Sequence, residues 1–459
     1  MSEQVIVVGG GPAGIEAARA ASSAGARVTL VSEGPVGGRA GWHSLTPSKV
    51  WLTAADTVGL LSRALALGIA VGGAHRPDPV AVLARIRTVT DAWNTAAESE
   101  LQSLGVSVVT GIASFESIYK LSVVGDDGAT VAELQGDAVI VASGSVPRFP
   151  DGIKPDGDHV LAPRFASRLE ALPADMVVIG GGATGCEFAY LFGRLGVRVT
   201  WLVSPRGVLP MFAPVAGRFL AEAMDRPGIE LVVGPRVQRI DPVADGVIVR
   251  TEAGQGYEAS TAFLAVGRRP DVGRLNLAAT GLEPGPTGEL QTDPFGRTAV
   301  PSIYAVGDVT GTPMLANQAM AQAWVAGRHA AGMPTPPFRP EAVVSAVYTE
   351  PQVAQVGVVD AGAPGVELAR IPFTVSLKAH LLAESEGFVE LFYHAQTGGV
   401  LGGVAAGPHA AEVLAPIAVA IQLGATVEDL AATGSANPTL SELAFLAART
   451  ARRPGFPRR

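Results

Sequence analysis

The same local pattern occurs twice in this chain. An apolar β-branched run enters a turn with three spaced glycines, a helix-forming stretch follows, and a second apolar run closes the unit. Residues 5–33 read VIVVGGGPAGIEAARAASSAGARVTLVSE, and residues 177–203 read VVIGGGATGCEFAYLFGRLGVRVTWLV. Strand, Gly-x-Gly-x-x-Gly, helix and strand together make the β-α-β fingerprint of a dinucleotide-binding domain, far more specific than the glycines alone. In the first copy Gly9 makes the tight turn, Gly11 lets the backbone approach a pyrophosphate, and Gly14 allows close helix–strand packing. Pro12 and Ala13 open the helix, whose free N–H groups and positive dipole end suit phosphate oxygens. Glu33, directly after the second run, is placed to bind a ribose hydroxyl pair.

The second copy ends differently. Gly180, Gly182 and Gly185 take the three glycine roles, but the closing strand runs into Val203, Ser204, Pro205 and Arg206 with no acid. Nothing there repels a 2′-phosphate, and Ser204 and Arg206 have the chemistry to bind one. That favours NADP over NAD. The alternative is a solvated Arg206 and a site open to either nucleotide. Two such units in one chain imply two dinucleotides, one flavin and one nicotinamide.

The single cysteine, Cys186, excludes an intrachain disulfide, a CxxC redox pair and a thiolate metal cluster. The seven histidines show no HxxxH or HxH spacing, so no metal site is expected. A net charge of -8 argues against nucleic acid or an anionic membrane surface as the main partner. No uncharged apolar run reaches the ~18 residues of a transmembrane span. The chain enters a strand almost at once, so a cytoplasmic location is expected. Of 34 basic residues only four are lysines, which singles out Lys49.

Later segments resemble the pyridine nucleotide–disulfide oxidoreductase family, of the glutathione reductase and dihydrolipoamide dehydrogenase type, in order and spacing. VIVASGSVPRFP (139–150), with Gly144, is similar to its ATGSxP segment. FLAVGRRPD (263–271), with Gly267, is similar to its VGRRPN segment. SIYAVGDVTGTPMLANQA (302–319) resembles the second FAD motif, in which Asp308 would bind the ribitol. TEPQVAQVG (349–357) and the stretch 387–414 resemble the C-terminal interface domain. The resemblance implies an α/β fold: two Rossmann-like domains, for FAD and NAD(P), plus a C-terminal α+β dimerisation domain. It gives an FAD domain of 1–147 and 267–335, a nicotinamide domain of 148–266, and an interface domain of 340–459 that pairs two subunits as a homodimer. The Pro-rich MPTPPFRP (333–340) suits the last boundary. Residues 80–104 read as an amphipathic helix.

Against the family pattern GGTCxNxGCxPSK the chain reads GGRAGWHSLTPSK (37–49). Ala40 and Leu45 stand in place of the two redox cysteines, and Arg39 replaces the threonine. Against HxHPTxSE it reads SANPTLSE (435–442), with Asn437 in place of the catalytic histidine and Glu442 retained. Thr439 and Glu442 also match a capping box for the last helix, the expected role of that glutamate. Lys49 and Glu187 remain. In the family they form a buried ion pair beside flavin N5, and a lone buried member would be costly, so each implies the other. Cys186 reads as a packing residue, and His380, His394 and His409 as surface or interface residues.

The resemblance therefore points to a flavoprotein that moves electrons from NAD(P)H through FAD to a small acceptor, such as a quinone or dye, without a dithiol relay. Lys49, Glu187, Asn437 and Glu442 are the candidate catalytic residues. Leu45, Trp42 and His43 are the candidate acceptor-contacting residues. Transhydrogenation between nicotinamide nucleotides and a non-catalytic FAD-bound subunit or redox sensor remain as alternatives.

Overall fold

A computed structural model of the chain describes residues 3–73, 75–150, 152–225 and 228–451. Two compact units emerge. The first comprises Met1–Pro47, Leu83–Phe149 and Gly267–Arg339, and the second Ser48–Val82, Pro150–Val266 and Pro340–Arg459.

The first unit is built on a five-stranded parallel sheet in the order Ile303–Ala305, Ala138–Val141, Gln4–Val8, Arg27–Ser32, Ser107–Thr110. Its central strands are apolar on both faces because both faces are covered. Val5, Val7, Leu30 and Ile140 pack under helices Pro12–Ser23 and Ala316–Ala330. Ile6, Val8, Val139 and Val141 pack against an antiparallel meander, Ile112–Phe115, Lys120–Val124 and Thr130–Gln135. The alanines of the first helix let the second approach it closely: a Cβ on Gly327 would lie 2.5 Å from the Ala17 carbonyl oxygen. The expected amphipathic helix spans Pro79–Ser103. Its buried stripe, Leu83, Ile86, Thr90, Asn94, Ala97 and Leu101, follows the helical period.

The second unit holds a parallel sheet in the order Ile229–Val233, Arg198–Val203, Asp175–Ile179, Thr261–Leu264, Val160–Leu161. Helix Ala183–Arg194 packs on it through Phe188, which stacks on Phe263 at 4.2 Å between ring centroids. The C-terminal part is a five-stranded antiparallel sheet, order Ser345–Val347, Gln352–Gly357, Val400–Gly407, Phe388–His394, Val366–Pro372. Helices Ala415–Leu423 and Glu442–Thr450 cover it over a core that includes Val389, Leu391, Ile417 and Leu443. The two β-α-β units and the separate C-terminal sheet are the architecture expected from the sequence.

One helical stretch, Ala40–Leu67, is long and apolar enough by length and composition to cross a membrane. Three charged side chains interrupt it, and each is paired within the second unit: Lys49 with Glu187, Asp56 with the Tyr190 hydroxyl, and Arg63 with Glu350. Those partners mark a helix of the folded domain.

Candidate functional site

In the first unit the chain leaves strand Gln4–Val8 at Gly9 with a φ of +117°, where a Cβ would stand 2.3 Å from the Ala142 carbonyl oxygen. A Cβ on Gly14 would lie 1.7 Å from the Gly9 oxygen. Both positions need glycine for packing. Gly11 differs, since a Cβ there would meet nothing within 4 Å. Gly11 is the N-cap of helix Pro12–Ser23, and no side chain caps that end. Pro12 has no N–H to satisfy, and the next N–H groups, from Ala13 and Gly14, lack helical partners. Open space in front of an uncapped helix start is a cradle for an anion.

Other predicted cofactor residues lie in the same unit. Glu33 follows strand Arg27–Ser32 and takes both guanidinium nitrogens of Arg274 at 2.7 Å. That hydrogen bond first, then the charges of Arg274 and Arg39, hold its carboxyl below the usual range against the opposing effect of burial. Asp308 sits on a short turn, Gly307–Thr310, just past strand Ile303–Ala305, and accepts a hydrogen bond from the Ser145 hydroxyl. Arg268 donates to that same Ser145 oxygen at 2.7 Å. Gly144, with a φ of +75°, and Gly267, with +106°, precede the two strands of a short antiparallel ladder, Ser145–Pro147 and Arg268–Pro270. The cradle, Glu33 and Asp308 fit a dinucleotide with FAD's groups: glycine backbone for the pyrophosphate and a carboxylate for each polyol.

Three residues near this cradle carry more than the sequence signalled. Arg39 donates to Asp271 at 2.6 Å and to the Ser143 carbonyl at 2.8 Å. Asn94 is 3 % exposed, and neither its amide nitrogen nor its oxygen finds a hydrogen-bond partner among the described residues; the Thr90 hydroxyl is similarly orphaned. Asn94 abuts the segment that carries Arg39: a Cβ on Gly37 would fall 2.1 Å from its amide oxygen. The one sequence signal for Asn94 and Thr90 is a polar pair on the apolar stripe of a helix.

The second glycine turn repeats the first. Gly180 has a φ of +130° and meets the Ala265 oxygen, Gly185 meets the Gly180 oxygen, and Gly182 faces open space before the uncapped helix Ala183–Arg194. Beyond strand Arg198–Val203 the loop folds back, with the Leu209 N–H bonded to the Gly181 oxygen at 2.7 Å. This sets Ser204 and Arg206 beside the turn. Arg206 is exposed, and its guanidinium reaches only the Met211 sulfur, at 4.0 Å, so no carboxylate claims it among the described residues.

The structure brings Lys49 and Glu187 together. The Lys49 ammonium meets both carboxylate oxygens, at 2.7 and 2.8 Å, and Glu187 is 7 % exposed. The Tyr348 backbone N–H donates to Glu187 at 3.1 Å, and the Lys49 Nζ lies 4.7 Å from the Tyr348 ring centroid. Burial, then the Glu187 charge, raises the Tyr348 phenol above its usual range. Cys186, beside Glu187, is fully buried, and burial pushes its thiol well above the ordinary value. Ala40 lies in a single π-helical turn, Ala40–Ser44, that runs into helix Leu45–Arg63. Trp42 on that turn donates its indole N–H to the Val36 carbonyl at 3.0 Å; His43 is exposed and Leu45 half-buried.

The capping-box expectation for Glu442 is corrected. Helix Glu442–Thr450 begins at Glu442 itself, its N-cap Ser441 already has a helical φ of −62°, and no side chain caps it. Thr439 bonds the Ala436 carbonyl instead. The Glu442 carboxylate, 7 % exposed, accepts from the Ser376 hydroxyl at 2.9 Å and from the Asn437 amide at 2.6 Å. Asn437 is thus tied to the glutamate five residues on. An amide can hold that carboxylate but cannot carry a proton for it.

Comparison with known proteins agrees with this geometry. A family described as "Pyridine nucleotide-disulphide oxidoreductase" matches residues 3–323, and its dimerisation domain matches residues 343–448. An NAD(P)H dehydrogenase (quinone) of Mycobacterium tuberculosis is 34% identical over 463 residues, covering 98% of this chain and 94% of that protein. A dihydrolipoyl dehydrogenase of Halobacterium salinarum is 35% identical over 460 residues, covering 97% and 96%. The crystal structure of LpdA from Mycobacterium tuberculosis superposes with a TM-score of 0.92 at 33% identity, over 97% of this chain and 99% of that one.

Proposed function

This chain belongs to the pyridine nucleotide-disulphide oxidoreductase family as an FAD-dependent NAD(P)H oxidoreductase, and from that premise we propose that it passes electrons from NADPH to a quinone. The observation that carries the reading is the missing dithiol. Ala40 and Leu45 stand at the two cysteine positions, and the single thiol, Cys186, is fully buried. A disulfide substrate needs a thiolate to attack it, and no exposed thiolate exists here. Bound FAD supplies reversible two-electron storage. The chain's own residues do the rest: Gly11, Ala13, Gly14, Glu33 and Asp308 hold FAD, while Gly182, Ser204 and Arg206 bind NADPH. The Lys49–Glu187 pair serves hydride transfer. Loss of the proton-carrying histidine at Asn437 is harmless to a reaction that forms no thiolate leaving group. The name of the Mycobacterium tuberculosis relative, NAD(P)H dehydrogenase (quinone), supports the acceptor class, and Trp42, His43 and Leu45 are assigned to it. The dimerisation domain supports a homodimer.

Stopped-flow mixing tests the reading. NADPH should bleach the flavin band, and a soluble naphthoquinone should restore it rapidly. Lipoamide and oxidised glutathione should not. Reoxidation by lipoamide, or a reduced flavin that no quinone reoxidises, would sink it.

A further inference from the structure

The segment Gly37–Gly41 lies against the first glycine turn like a strap. The Gly37 N–H donates to the Gly10 carbonyl at 2.9 Å, and a Cβ on Gly38 would fall 2.8 Å from the Gly11 Cα. Gly11 is the glycine left open for the pyrophosphate, so Arg39 issues from the strap one residue beyond contact with it. Its guanidinium is fixed by Asp271 and by the Ser143 carbonyl, both through Nη2. Among the described residues Nε and Nη1 make no hydrogen bond, leaving three N–H donors uncommitted.

Asp271 is itself well placed to hold this arginine. It is 16% exposed in its side chain, and the backbone around it is tied down: its N–H bonds the Gly144 carbonyl, and its carbonyl takes the Ser143 hydroxyl. Asp271 also stands 3.9 Å from Arg274, the arginine paired with Glu33. Contacts link Arg39 toward both acids: through Asp271 and Arg274 to Glu33, and through the Ser143 carbonyl to the segment whose Ser145 bonds Asp308. Its charge adds to the Arg274 hydrogen bond in lowering the Glu33 carboxyl and to burial in lowering the Arg268 guanidinium. Arg39 therefore sits between the acid assigned to the adenosine ribose and the acid assigned to the ribitol, where a dinucleotide carries its two phosphates.

We propose that Arg39 is a ligand for the FAD pyrophosphate, preset by Asp271, so that cofactor retention in this chain rests on a side-chain charge in addition to the helix end. The proposal rests on the FAD reading of the first glycine turn. Electrostatics favour it: a pyrophosphate diester carries two negative charges, and a helix N-terminus answers with roughly half of one. The Arg39 guanidinium, its charge shared with Asp271, adds the uncommitted Nε and Nη1 donors in a fork matched to phosphate. Asp271, by neutralising Arg39 when no phosphate is present, prevents a bare cation from distorting the strap. It acts as a positioning residue.

The experiment follows FAD release from the purified holoprotein by flavin fluorescence on dilution, then competes the cofactor with ADP and with adenosine. Arg39→Gln removes the charge but keeps a donor for Asp271. It should raise the FAD dissociation constant about tenfold or more. ADP should weaken as a competitor by a similar factor, while adenosine, without phosphate, should compete as before. Arg39→Lys should recover part of the loss. FAD held by Arg39→Gln as tightly as by the wild type would overturn the assignment. So would equal weakening of ADP and adenosine, which would mark a merely structural strap. If the wild-type protein binds no FAD at all, the functional reading itself falls, and this proposal with it.

Discussion

Replacing Lys49 with methionine strands the Glu187 carboxylate. Methionine keeps the length and apolar stem of the side chain but removes the ammonium that contacts both carboxylate oxygens. Breaking a fully buried pair costs about 3–5 kcal/mol, and breaking an exposed one about 0–1 kcal/mol. Here the acid is 9% exposed in its side chain and the lysine 32%, so the pair lies between those limits. The Tyr348 backbone N–H, at 3.1 Å, remains to stabilise the stranded charge. The expected loss is about 2 kcal/mol, or a Tm lowered by about 4 °C for a unit of this size. Glu187→Gln should cost less, because the freed ammonium can turn to solvent. The double variant should cost about 1–2 kcal/mol less than the sum of the singles, since no charge is then left unpaired. Thermal unfolding followed by tryptophan fluorescence measures this, with Trp51, fully buried two residues from Lys49, as a local reporter. A loss under about 0.5 kcal/mol for Lys49→Met, or strict additivity, would refute the coupled buried pair. Recovered stability in the double variant without recovered flavin reduction would separate a chemical role from a structural one.

Nucleotide choice and pH give two more tests. Arg206→Ala should raise the KM for NADPH by about tenfold while leaving NADH nearly unchanged, the size of one charge-assisted contact; equal effects on both nucleotides would refute the 2′-phosphate role. Glu390, paired across strands with Arg370 at 2.9 Å, is 5 % exposed, and burial raises its carboxyl above the usual range with Arg370 opposing. A carboxyl raised in the folded state contributes stability that is full below its unfolded pKa and lost as pH rises through the folded value. Glu390→Gln should therefore gain in Tm relative to the wild type as pH rises from the acid carboxylate range toward neutrality; a relative gain that appears only on acidification would reverse the assignment.

Local features of this protein are legible in its residues alone. Gly14 and Gly185 are crowded by backbone five residues away, and the fingerprint spacing places Gly9, Gly11, Gly180 and Gly182 with them, although the Ala142 and Ala265 carbonyls that crowd Gly9 and Gly180 are supplied by distant strands. The loss of the dithiol is a matter of residue identity and needs no geometry. The Glu442 expectation failed because a capping box is a local motif, whereas the carboxylate is claimed by Ser376, 66 positions earlier. Distant charge pairs belong to the tertiary structure. Arg39 and Asp271 are 232 positions apart, and Lys49 and Glu187 138 apart. For the second pair a family pattern stood in for geometry. For the first nothing did, because which loop end meets which strap is decided by sheet order and crossover connections. The orphaned amide of Asn94 shows the same limit: helical period puts it on the buried face, and only the packed strap reveals what it faces.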